Sequence, residues 1–129
     1  YLTELSKQGL DEKDSRRYVD VLTFTTNLEH IGDIIDKNLM ELAAKKIKNK
    51  LTFSKEGLAE LTDFHHRVAA YLQMACNLFM SGDVKMARLL LEEKAQLRLA
   101  EQQAAENHYQ RIRDGRSESI ETSAISSWI

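Results

Sequence analysis

The sequence predicts an all-α fold: an antiparallel up-down bundle of three long helices plus the start of a fourth. Three observations lead there. The 129 residues contain no proline and only five glycines, so the residues that most often break helices are nearly missing. Apolar residues recur at steps of three and four over long stretches. Alternation with a period of two never persists beyond a few positions, so no strand pattern competes.

The opening YLTELSKQGL, residues 1–10, reads as the end of a preceding helix or a linker, stopped at Gly9. Residues 11–129 read as one helical bundle. Its first helix runs from about Asp11 to Lys48, along a seam of Tyr18, Val21, Thr25, Leu28, Gly32, Ile35, Leu39 and Leu42. Asp11, Glu12 and Asp14 fill its first turns and lysines its last, as the helix dipole favours. Residues 49–53 connect to a second helix, capped by Ser54 and running to about Met80. Its buried face is expected to carry Leu58, Leu61, Phe64, Val68, Tyr71, Leu72, Ala75, Leu78 and Phe79. Ser81-Gly82 ends it and Asp83 caps the third helix, from about Val84 to Arg113, with Met86, Leu90, Leu97, Ala100, Ala104 and Ile112 facing inward. Asp114-Gly115 stops that helix, and Ser117 or Ser119 starts a fourth. Helices joined by short turns must alternate in direction.

Composition narrows the function. Charged residues make up 29% and the net charge is -2, so nothing steers the chain towards nucleic acid. Five lysines cluster at Lys45, Lys46, Lys48, Lys50 and Lys55. They suit a solvated helix end or anionic lipid headgroups. The single cysteine, Cys76, excludes an internal disulfide and falls in an apolar pattern, as a buried inert thiol does. Catalytic machinery is not expected: there is no glycine-rich phosphate loop, CxxC pair or nucleophile elbow. His65 is read as a hydrogen-bonded packing residue and His108 as an imidazole whose charge the helix end favours. The chain opens on Tyr1 and closes on Trp128-Ile129, so a fragment of a longer protein is expected.

The stretch LEHIGDIIDKNL, residues 28–39, is the least ordinary. Glu29, Asp33 and Asp36 are spaced i, i+4 and i+7, within an arc of about 60° on an α-helix. They flank the seam rather than face away from it. Two readings stand: a solvated acidic stripe, or part of a hard-cation site for iron or another divalent metal. One helix supplies only part of a coordination sphere. Gly32 occupies a seam position at a cost of about 1 kcal/mol against alanine. That cost points to close approach of another helix or a ligand.

Glu29-His30-Ile31-Gly32-Asp33 resembles the acidic repeat motif of PhoU-type proteins, with His30 where that motif usually has arginine. A second stretch holds His108, Arg111-Ile112, Gly115, then Ser119, Thr122 and Ser123. It is similar to the C-terminal PhoU-like domain of bacterial sodium/phosphate cotransporter family proteins. The resemblance implies a helical regulatory domain on the cytoplasmic side of the inner membrane, working on the transmembrane part of the same polypeptide. It also implies metal binding, by iron or another divalent cation, at Glu29, Asp33 and Asp36. The family's second acidic motif does not appear before Ile129, so a second copy in a homodimer would have to supply the missing face. A free-standing PhoU-type phosphate-signalling regulator, or a plain helical dimerisation module, are the alternatives. Ser119, Thr122 and Ser123 are read as helix-start chemistry.

Overall fold

The computed structural model describes residues 12–126, and the side chains of residues 12–123. The expectations for residues 1–10, Asp11 and Trp128-Ile129 lie outside the described residues. Every regular element among the described residues is helical and none is a strand, which is the all-α class expected. The chain divides after Lys48 into two compact units.

The first unit carries α1 (Glu12–Asp33), a π-helical stretch (Ile34–Leu39) and α2 (Met40–Lys48), which continue one another without a break. The expected single α-helix is therefore interrupted. The Met40 N–H bonds to the Ile35 carbonyl, five residues back. A π turn holds more residues than an α turn and so rotates less per residue. The seam and the acidic stripe, both drawn at the α period, lose their alignment here. Tyr18, Val21 and Leu42 of the expected seam are half-buried, whereas Thr25, Leu28, Gly32, Ile35 and Leu39 are exposed. Gly32 has nothing within 4 Å of where a Cβ would stand. The close approach expected at this glycine is absent among the described residues.

The second unit carries α3 (Lys55–Ser81), α4 (Val84–Arg113) and α5 (Ser117–Ser126). Ser54 caps α3, its Oγ accepting from the Gly57 N–H at 3.0 Å. Gly82, at φ 67°, closes α3 with its N–H on the Leu78 carbonyl, a left-handed conformation that glycine adopts without penalty. One residue on, Asp83 caps α4 by accepting from the Lys85 N–H at 2.8 Å. This tight reversal makes α3 and α4 an antiparallel pair. All six inward positions expected on α4 are half-buried. On α3, Phe64, Tyr71, Leu72, Ala75, Leu78 and Phe79 are half-buried too, but Leu58, Leu61 and Val68 are exposed. Cys76 is free and half-buried rather than buried. No apolar side chain among the described residues is fully buried.

α4 ends in a Schellman turn. The Gly115 N–H bonds the Ile112 carbonyl at 2.9 Å, and the Arg116 N–H reaches the Arg111 carbonyl at 3.1 Å. Gly115 takes φ 74°, a conformation that penalises any Cβ. The Arg116 carbonyl then accepts from the N–H groups of Ser119 and Ile120, which starts α5 within three residues of the end of α4.

Candidate functional site

The side chains that the structure gathers are at the joint of α3, α4 and α5. Because α3 and α4 run antiparallel, the first turns of α3 lie beside the last turns of α4. Glu60 on α3 receives both terminal nitrogens of Arg111: Nη1 donates to Oε1 at 3.0 Å and Nη2 to Oε2 at 2.8 Å. The Asn107 amide adds a third donor to Oε1 at 2.9 Å. The Arg111 residue is 9% exposed. Its two-toothed grip on a carboxylate is the strong, geometrically specific form of ion pair. The hydrogen bonds from Arg111 hold the Glu60 carboxyl below the usual carboxylate range, against the opposing effect of burial. Gly57 makes room: a Cβ there would stand 3.0 Å from the Ser54 Oγ and 3.7 Å from Arg111 Nη2. A turn further out, Arg116 donates to Glu56 at 3.0 Å.

α5 is tied to α4 by a hydroxyl relay. His108 Nε2 lies 2.9 Å from Ser123 Oγ, and Ser123 Oγ donates to the Ser119 carbonyl at 2.8 Å. A hydroxyl has one proton. Since Ser123 gives it to a carbonyl that can only accept, the imidazole must be the donor, with its hydrogen on Nε2. Burial pushes the His108 pKa down and the nearby Arg111 charge adds to this, while Glu60 opposes it. The neutral imidazole is thus favoured. The expectation of a partly charged imidazole at this helix end is corrected: burial and the Arg111 guanidinium lower its pKa. Thr122 Oγ1 also bonds backwards along α5, to the Glu118 carbonyl at 2.8 Å. Thr122 and Ser123 are therefore not helix-start caps. Ser119 is 2% exposed, and its Oγ, like Arg111 Nε, has no partner among the described residues.

Glu29, Asp33 and Asp36 fall in the first unit, all exposed. Asp33 pairs with Lys37 at 2.9 Å across one turn. Asp33 ends α1 and Asp36 lies in the π stretch, so the arc drawn from α geometry does not apply between them. Among the described residues no three His, Cys, Asp or Glu side chains are placed to hold a metal ion. His30, His65 and His66 are exposed, the last two with ring centroids 5.8 Å apart. His65 is thus a surface residue, not a packing one, because the face of α3 it shares with Leu61 and Val68 is itself uncovered.

The sequence singled out His108, Arg111, Ser119, Thr122 and Ser123, and the structure brings them together. It missed Glu60, Asn107, Glu56 and Arg116. Glu60 and Arg111 are 51 residues apart, so no local pattern links them. The one available signal was an acid a turn and a half into α3, at the level where an antiparallel α4 must end.

Over 125 residues, 97% of this chain, the sequence is 33% identical to a protein of Escherichia coli (strain K12). It is 34% identical over the same extent to one of Salmonella typhimurium. Both relatives carry the name "Putative inorganic phosphate export protein YjbB". The chain spans 23% of the length of each. No protein-family model matches the chain. No solved structure matches it. Among the described residues no helix is long and apolar enough to cross a membrane. The chain is homologous to about a quarter of these phosphate-related proteins.

Proposed function

We propose that this chain is a PhoU-like regulatory domain of a phosphate transport protein. It acts from the cytoplasmic side of the inner membrane on the transmembrane part of the same polypeptide. Similarity along nearly the whole chain to a segment of proteins named for phosphate export carries this reading. The joint supports it, because the residues shared with the PhoU-like C-terminal motif hold its helices together: His108 and Ser123 fix α5 to α4, and Arg111 fixes α4 to α3. α5 is a short helix joined to the end of α4 through this relay, so its release need not unfold the α3–α4 pair, which suits it to pass a signal onward.

Radiolabelled phosphate flux tests the reading. Cells would carry the full-length protein, the same protein without residues 12–126, or the His108→Ala, Ser123→Ala double variant. Flux should persist in both altered proteins but cease to respond to phosphate supply. Identical responses in all three would sink the proposal. Omitting sodium in the same assay tests whether the movement is sodium-dependent.

Metal binding is a separate part of the proposal. Glu29, Asp33 and Asp36 do not form a chelating set by themselves. Iron or another divalent cation held there needs ligands from a second copy. Metal content that is unchanged in Glu29→Gln, Asp33→Asn protein excludes it.

The absence of any fully buried apolar side chain among the described residues, with Ile34 55% and Leu39 51% exposed, favours a second reading as a homodimerisation module. Sedimentation with and without chelator separates the readings. A chelator-resistant dimer means packing, and a chelator-sensitive one means a shared metal.

A further inference from the structure

The end of α2 has a feature that the joint does not use. Ile47 is 76% exposed, the most exposed large apolar side chain among the described residues of the first unit. Met40, Ala43 and Ala44 are exposed with it. At about 100° per residue, these four side chains share an arc of about 100° on one face of the helix. Lys46 lies about 60° beyond Ala43 on one side, and Lys48 about 40° beyond Ala44 on the other. Leu42, half-buried, lies on the opposite face. Lysines in a last turn are accounted for by the helix dipole. An exposed isoleucine between them is not.

We propose that this face of α2 docks on an anionic lipid bilayer surface. The shape is that of an interfacial helix, with a shallow apolar strip and lysines on both edges. Lys48, which is exposed, would lay its alkyl stem along the strip with its ammonium at the headgroups, while Lys46 on the other edge is half-buried. The charge is complementary: Glu41, about 20° beyond Lys48, is paired with Lys45 at 2.8 Å, so Lys46 and Lys48 give α2 its net positive charge. Size favours lipid over a protein partner. The nine residues of α2 span about 13 Å. Stable protein interfaces bury about 1,200 Å² or more, beyond what so short a strip offers. Such docking would seat the chain against the membrane, and it does not depend on the phosphate reading, since vesicle binding and phosphate flux are measured separately.

Co-sedimentation of the 129-residue chain with vesicles is the test, using phosphatidylcholine alone and phosphatidylcholine mixed with phosphatidylglycerol. The chain should bind only the mixed vesicles, and near-molar salt should release it because charge attraction is then screened. Lys48→Gln should lower partition about fivefold. Ile47→Ser should lower it on the order of tenfold. Lys94→Gln, an exposed lysine on α4, should leave it unchanged, and circular dichroism confirms that each variant keeps its helices. Equal binding to both vesicle types, or none to either, overturns the proposal. So does a loss with Lys94→Gln as large as that with Lys48→Gln.

Discussion

The long helix of residues 12–48 and the joint of α3, α4 and α5 carry the same kinds of charge and use them differently. In the first, acids pair with lysines one turn away, as in Asp33–Lys37 and Glu41–Lys45, with at least 44% of each side chain exposed. Water competes for every such group, and the pairs stabilise little. In the second, Glu60 and Arg111 meet across 51 residues, with their side chains 27% and 11% exposed. There the carboxylate is filled by three donors, and neither partner can be removed without stranding the other. A run of charges along a helix therefore says less about structure than one charge that two helices enclose.

The comparison breaks most sharply at Arg111. Arg111→Ala should cost about 2–4 kcal/mol in urea unfolding, because it leaves Glu60 partly buried and unpaired. A cost below that of a surface ion pair would show the joint to be no more than a surface feature. Next come two glycines. Gly32 has open space around it and sits mid-helix, so Gly32→Ala should stabilise by about 1 kcal/mol in thermal melts. Gly57→Ala should gain less or lose, since its Cβ would crowd the capping Ser54 Oγ at 3.0 Å. Asp33→Asn should change stability least, by about 0.3–0.5 kcal/mol, and lose even that in high salt.

pH acts on the joint through two of its groups. The folded His108 pKa lies below its ordinary 6.5, so the unfolded chain binds the proton more readily. Its contribution is complete above 6.5 and falls as pH drops from there towards the lowered folded value. Glu60 acts in the same direction in a lower window. Its depressed pKa adds stability above the usual carboxylate range, and that is lost as pH falls through the folded value. Unfolding of the His108→Gln variant should lose the step just below 6.5 and keep the one at lower pH. An unchanged profile would remove His108 from the joint's energetics.

Much of the scaffold was legible in the sequence. Ser54, Gly82, Asp83 and Gly115 punctuate the second unit where their chemistry requires, because caps and left-handed turns depend on residues within five positions. The inward face of α4 followed from its period. Two local features were not legible. The π stretch at Ile34–Leu39 has no proline or other breaker to announce it, and it displaced the arc on which the metal reading of Glu29, Asp33 and Asp36 was drawn. Burial on α3 was over-assigned at Leu58, Leu61, His65 and Val68, because periodicity shows which face is apolar and not whether anything covers it.

By itself, then, the sequence determined the helical class, the helix ends and the grouping of His108, Arg111 and Ser123 in one stretch. Those depend on interactions a few residues long. Only the tertiary structure decided that Glu60 is the partner of Arg111, that His108 donates from Nε2 to Ser123, and that the neutral imidazole is favoured. Each of these depends on which helix ends the antiparallel turn sets side by side and on how much water is left between them.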